Sequence, residues 1–169
     1  MRLNLKDIIL MEGAVGFDYA LDLSGLEFNG TFPAEEPVRA AGEVRNTAGV
    51  LELTAELRTR LHLVCDRCAE AFTREKITEV RCLLADHLDN EESADNDEIL
   101  LFEGNELDLD DALTTAFILD MDTKILCSAD CRGLCSGCGA NLNREACRCR
   151  REPDPRWAAL AQLLGDDQT

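Results

Sequence analysis

The sequence is poor in positive charge: 17 Lys and Arg stand against 34 Asp and Glu in 169 residues, giving a formal net charge of -17 and a pI near 4.4. That shortage argues against a protein that holds nucleic acid by general phosphate neutralisation, because such binding needs clustered Lys and Arg. No apolar run approaches the roughly 18 residues needed to cross a bilayer, which excludes a membrane-spanning helix. Residues 1–11 carry Arg2 and Lys6 but only a four-residue apolar stretch, Ile8 to Met11, shorter than a secretory core of about 7 to 15 residues. The expectation is a cytoplasmic protein with no membrane partner. There are two histidines, His62 between Leu61 and Leu63 and His87 in an acidic run, and both read as structural or solvent-exposed. No nucleophile is accompanied by a base, so an enzyme is not expected. No internal repeat occurs apart from recurring cysteine pairs. What the sequence does have is 46% hydrophobic residues, enough for a core, a length suited to one domain with at most a small appendage, and nine cysteines. In a reducing compartment those thiols point to metal ligation before disulfides.

Charge is unevenly spread. Residues 86–122 hold 14 acids and no base, whereas 123–151 hold six bases and two acids. The run DHLDNEESADNDE has little to bury and repels itself, so residues 86–97 are predicted to form an acidic loop: either a solvated linker or an arm for a basic partner. Before it, the sequence alternates. Phe17, Tyr19, Leu21 and Leu23 face one way, and Leu51, Leu53, Ala55, Leu57, Thr59, Leu61 and Leu63 do so over a longer stretch. Strands over 42–47 and 49–64 should form a hairpin, followed by a return strand over about 73–84 and a short edge strand over 98–102. The period then changes. Leu109, Ala112, Leu113, Ala116, Phe117 and Leu119 recur at helical spacing after Asp108, Asp110 and Asp111, predicting a helix over about 109–121 that covers the sheet. Near the end, Asp154, Pro155 and Trp157 precede Leu160, Leu163, Leu164 and Gly165, the pattern of a short capped helix anchored by the single Trp. The predicted class is α+β: an antiparallel β-meander, barrel- or sandwich-like, over 1–126, and a cysteine-rich tail over 127–169.

Eight cysteines come in close pairs: Cys65 and Cys68 (CDRC), Cys127 and Cys131 (CSADC), Cys135 and Cys138 (CSGC), and Cys147 and Cys149 (CRC). Two thiolates of a CxxC reach one metal from a single tight turn, and two such turns close a tetrahedral shell with Zn–S distances of about 2.3 Å. Gly139, after Cys138, suits a knuckle turn that needs positive φ. In an extended CxC both side chains point the same way, and a CxxxC can do likewise from one helical turn. Closed four-thiolate shells imply structural zinc, two ions in total and at least one, in preference to an iron–sulfur cluster. Thiol–disulfide exchange is disfavoured because Cys65 ends a strand instead of opening a helix. Two ways of sharing the ligands are open. Cys135, Cys138, Cys147 and Cys149 can form one site, leaving Cys65 and Cys68 to Cys127 and Cys131, or Cys65 and Cys68 can join Cys135 and Cys138. Cys82, alone in VRCLL, reads as a small buried hydrophobe. Two zinc ions each held by four thiolates would carry the net charge to about -21 and cancel the tail's positive balance.

The run VCDRCAEAF, the run LCSADCRGLCSGCGANLNREACRC and the closing DPRWAALAQLL together resemble the YceD family, described as large ribosomal RNA subunit accumulation proteins. The resemblance extends over nearly the whole chain and is most specific in the tail. It implies a β-rich body with the first CxxC at a strand end, a core metal site at Cys65, Cys68, Cys127 and Cys131, and an added site at Cys135, Cys138, Cys147 and Cys149. Ala69 stands where a leucine usually follows the second cysteine, and 119–126 lacks the expected prolines. Three functions then compete. The first is a non-catalytic zinc-binding factor for ribosome biogenesis, with Arg132, Arg144, Arg148, Arg150 and Arg151 as candidates for touching RNA phosphate or for compensating the thiolates. The second is an acidic module that captures a basic ribosomal protein, and the third a thiol–disulfide redox protein.

Overall fold

The computed structural model describes residues 1–86 and 99–149. The elements are β1 (Arg2–Asn4), α1 (Lys6–Ile9), β2 (Gly13–Leu21), β3 (Val38–Thr47), β4 (Val50–Val64), β5 (Ala71–Ala85), β6 (Ile99–Leu101), β7 (Glu106–Asp108) and α2 (Leu109–Leu119). Among the described residues two compact units are distinguished, 1–66 with 70–86 and 99–127, and 67–69 with 128–149. The first holds every strand and helix of the described residues.

Its main sheet has the order β2-β3-β4-β5-β6. The 15-residue β4 is central, and its inward positions Leu53, Leu57, Leu61 and Leu63 are buried in strict alternation with polar neighbours. The β3–β4 hairpin closes through Ala48 and Gly49, both at positive φ (53° and 88°), the conformation that matches strand twist in a two-residue turn. Asn46 supports that turn. Its Oδ1 accepts the Gly49 amide at 2.9 Å while its Nδ2 donates to the carbonyl of Ile8 at 2.6 Å. In β3, a Cβ at Gly42 would lie 2.2 Å from the carbonyl oxygen of Thr54, so only glycine fits there.

The sheet departs from the expected meander. β6 runs parallel to β5, pairing Leu83 with Ile99 and Ala85 with Leu101, so the sheet is mixed. It is also open: among the described residues β2 pairs with β3 alone, and the three-residue β6 does not meet it to close a barrel. A second, two-stranded sheet joins β1 to β7, neither of which the alternation pattern announces because each spans only three residues. Helix α2 begins at Asp108, whose carboxylate accepts the amides of Asp110 and Asp111, and it buries Leu109, Ala112, Leu113 and Phe117 in the core. The predicted acidic loop and C-terminal helix lie outside the described residues, apart from Asp86.

On the outer face of the sheet, bases are committed to nearby acids: Arg39 to Asp18 at 2.8 Å, Arg45 to Glu43 at 2.7 Å and Arg81 to Glu52 at 2.5 Å. Each exposed pair adds little stability, but together they leave this face no surplus of positive charge.

Candidate metal centres

Two CxxC pairs fold into the same turn. The amide of Cys65 donates to the carbonyl of Glu70 at 2.9 Å, and the amide of Cys135 donates to that of Ala140 at 2.8 Å. In each, the residue after the second cysteine has positive φ, 56° at Ala69 and 72° at Gly139. Glycine adopts that region freely, whereas an L-residue is disfavoured by roughly 1–2 kcal/mol. The first turn therefore carries a strain that the second does not.

The sulfurs of Cys65, Cys68, Cys127 and Cys131 all lie within 4.8 Å of one another. Cys65, Cys68 and Cys131 are buried and Cys127 is exposed. A tetrahedron with Zn–S of about 2.3 Å has sulfurs about 3.8 Å apart, so the cluster fits such an ion. The residues between Cys65 and Cys68 are active in shaping it. Asp66 pairs with Ile125 twice, its amide to the Ile125 carbonyl at 2.8 Å and its Oδ2 from the Ile125 amide at 2.6 Å, which fixes the approach to Cys127. Arg74 adds to this by donating to the carbonyl of Leu126 and to Asp122. Arg67 donates from Nη1 to the carbonyl of Cys131 at 2.9 Å, and its own carbonyl accepts the Leu134 amide at 3.1 Å. Gly133 makes that approach possible, since a Cβ there would meet the Arg67 oxygen at 2.9 Å.

Cys135, Cys138, Cys147 and Cys149 form the second cluster, again with all sulfurs within 4.8 Å. Cys147 Sγ lies 3.0 Å from Cys135 Sγ and 3.7 Å from Cys138 Sγ, well beyond a disulfide bond of about 2.05 Å. Backbone amides point at sulfur: Gly137 to Cys135 at 3.4 Å and Cys149 to Cys147 at 3.2 Å. The thiols titrate against one another. Cys147, with the amides of Cys138 and Gly137, holds Cys135 down at about 6, while Cys138 and Cys147 push Cys149 up to about 12. Four thiols this close cannot all ionise without a cation among them. A divalent ion supplies that charge, so the donor set fits a metal.

The interleaved sharing of ligands is overturned, because Cys65 and Cys68 gather with Cys127 and Cys131. The CxxxC is not a helical turn: Cys127 to Cys131 is a bend closed by the Cys131 amide on the Ser128 carbonyl at 3.2 Å, so its two sulfurs converge through local turns. Arg132, Arg144 and Arg148 are exposed, while Arg150 and Arg151 lie outside the described residues. Cys82 sits on β5 opposite Leu53, with its thiol pKa raised by burial and by Glu52. His62 is on β4, its amide bonded to the Pro33 carbonyl at 2.9 Å, apart from both clusters, and His87 lies outside the described residues. Asp66, Arg67, Gly133 and Asn143 are supporting residues that the cysteine spacing does not single out.

Residues 53–164, a range containing all eight clustered cysteines, match the family described as large ribosomal RNA subunit accumulation protein YceD. The chain belongs to the YceD family. Among curated proteins it is 28% identical to the chloroplastic YCED homolog 1 of Zea mays, over 88% of this chain and 61% of that protein. It is 26% identical to the chloroplastic YCED homolog 1 of Arabidopsis thaliana, over 78% of this chain and 50% of that one. An uncharacterised Mycobacterium tuberculosis protein is 32% identical over 77 residues, which is 46% of this chain and 37% of that protein. The chain thus spans 37% to 61% of the length of these relatives. No solved structure matches it.

Proposed function

We propose that this chain is a non-catalytic, zinc-stabilised factor that supports accumulation of large-subunit ribosomal RNA in the cytoplasm. The observation that carries the reading is the pair of four-cysteine clusters inside the segment that matches the family. Zinc bound there would neutralise the thiolates and tie folding to metal, and a full shell of four sulfurs would leave no position for a reacting water. In the described residues Arg132 and Arg148 are exposed and form no ion pair of 4 Å or less, which suits contact with RNA phosphate or with the charge of the metal centres. Depletion of the protein should lower the steady-state level of large-subunit ribosomal RNA relative to the small-subunit RNA, and a form with Cys65 and Cys131 replaced by serine should fail to restore it. Unchanged RNA levels on depletion would refute the reading.

A second reading, capture of a basic ribosomal protein, is favoured by one cleft. Glu103, Glu106, Asp108 and Asp111 line a depression of about 390 Å³ with Leu101, Phe102 and a single base, Arg2. Arg2 stands 3.8 Å from both Glu106 and Asp108, leaving the cleft strongly acidic. Crosslinking in cells, with RNA and protein partners both identified, separates the two: crosslinks to RNA support the first, and crosslinks from this cleft to a basic protein support the second.

A further inference from the structure

The loop between Cys138 and Cys147 belongs by sequence to the second cluster, yet its Asn143 side chain is directed at the first. Nδ2 of Asn143 lies 3.3 Å from Sγ of Cys131, and Oδ1 of the same carboxamide accepts the Arg132 amide at 2.7 Å. One end of the side chain is on a ligand sulfur and the other on the next residue's backbone. The loop is set by the Leu142 amide on the Gly133 carbonyl at 2.9 Å and by the Asn143 amide on Oδ1 of Asn141 at 2.9 Å. Its two ends are Cys138 and Cys147, whose sulfurs are 3.7 Å apart.

We propose that Asn143 is a positioning residue for the first metal centre, and that through it occupancy of the second centre governs how firmly the first holds its metal. This rests on the metal reading of the two clusters. An N–H donated to a thiolate is a charge-assisted bond that fixes the sulfur's direction, and outer-shell partners of this kind are worth roughly 10- to 100-fold in metal affinity. Presentation of Asn143 depends on a loop pinned at both ends. When the second centre is empty, Cys138 and Cys147 no longer share an ion, the loop samples other conformations, and the first centre's affinity falls by the fraction of time the donor is absent. The coupling is reciprocal, so emptying the first centre weakens the second by the same factor. Exposure gives the coupling a direction in practice: Cys138 and Cys149 are exposed and Cys135 and Cys147 half-buried, whereas the first cluster exposes Cys127 alone and buries Cys65, Cys68 and Cys131. A chelator or oxidant reaches the second centre first.

The test uses the full zinc-loaded chain challenged with a chelator and an alkylating agent, with modification of each cysteine followed by peptide mass spectrometry. Asn143→Asp keeps the side chain's shape and its acceptor for the Arg132 amide but turns a carboxylate toward Cys131. Alkylation at Cys65, Cys68, Cys127 and Cys131 should accelerate at least about tenfold. Asn143→Ala should accelerate it as well, with the far-UV spectrum unchanged. The Cys147→Ser, Cys149→Ser double variant should have a comparable effect on the first four cysteines, and adding Asn143→Ala to it should change nothing further. Parental rates in Asn143→Asp, or an effect of the double variant that is undiminished when Asn143 is already alanine, would overturn the coupling while leaving two metal centres standing. Absence of bound metal in the parent would overturn both.

Discussion

Nη1 of Arg67 lies 2.9 Å from the carbonyl oxygen of Cys131, 64 residues further along the chain. A residue enclosed between one pair of clustered cysteines thereby holds the backbone of another. Arg67→Met keeps much of the apolar stem and removes the donor. Leaving the Cys131 carbonyl short of its partner should cost about 1–3 kcal/mol in the zinc-loaded form, read from urea unfolding at fixed metal concentration. An unchanged midpoint would show that water replaces the guanidinium without loss.

The two knuckle turns differ at one residue, and the difference is testable in both directions. Ala69→Gly should stabilise the protein by up to about 1 kcal/mol by relieving the positive φ, and Gly139→Ala should destabilise it by about 1–2 kcal/mol. Thermal melting of the metal-loaded proteins checks both. A lower melting temperature for Ala69→Gly would mean that the alanine methyl packs usefully.

How much of this was legible beforehand depends on the range of the signal. The alternation of Leu51 to Leu63 fixes β4 because each inward residue is independently apolar, and the spacing of eight cysteines marks four close pairs while leaving open which pairs share a cluster. The mixed sheet was not legible, since the parallel pairing of Ile99 with Leu83 is a contact between strands that no local pattern encodes. Nor were β1 and β7, each too short for a period to show. Around the two cysteine clusters the cysteines themselves were readable and their supports were not: Asp66, Arg67 and Asn143 act through contacts made far from their own position in the sequence.

Asn46 is 4% exposed and satisfies three backbone groups, the carbonyls of Ile8 and Ile9 and the amide of Gly49. Asn46→Leu preserves size and leaves those groups unpaired where little water enters. A loss of about 1–3 kcal/mol is expected in denaturant unfolding, and a loss below about 0.5 kcal/mol would contradict this role.

Asp120 caps the end of α2 and meets Lys76 at 2.6 Å and the hydroxyl of Thr78 at 2.7 Å. Lys76 first and Thr78 second hold its carboxyl below the usual 3.8. Because the folded pKa lies under the unfolded one, the stability contributed is present above about pH 4 and is lost as pH falls through the lowered value. The carboxylate is half exposed, so the gain is modest, under about 1 kcal/mol. Asp120→Asn should be less stable than the parent near neutral pH, and the gap should close on acidification. A gap that stays constant with pH would show that the charge is irrelevant.

The proposed function requires eight of the nine cysteines to be ligands of two zinc ions. Native mass spectrometry of the full chain purified without chelator, followed by alkylation of the same sample, tests it most directly. Two zinc ions per chain are predicted, with slow modification confined to Cys82, whose thiol pKa is raised by burial. A chain that carries no metal and is alkylated at several of the paired cysteines would contradict the account.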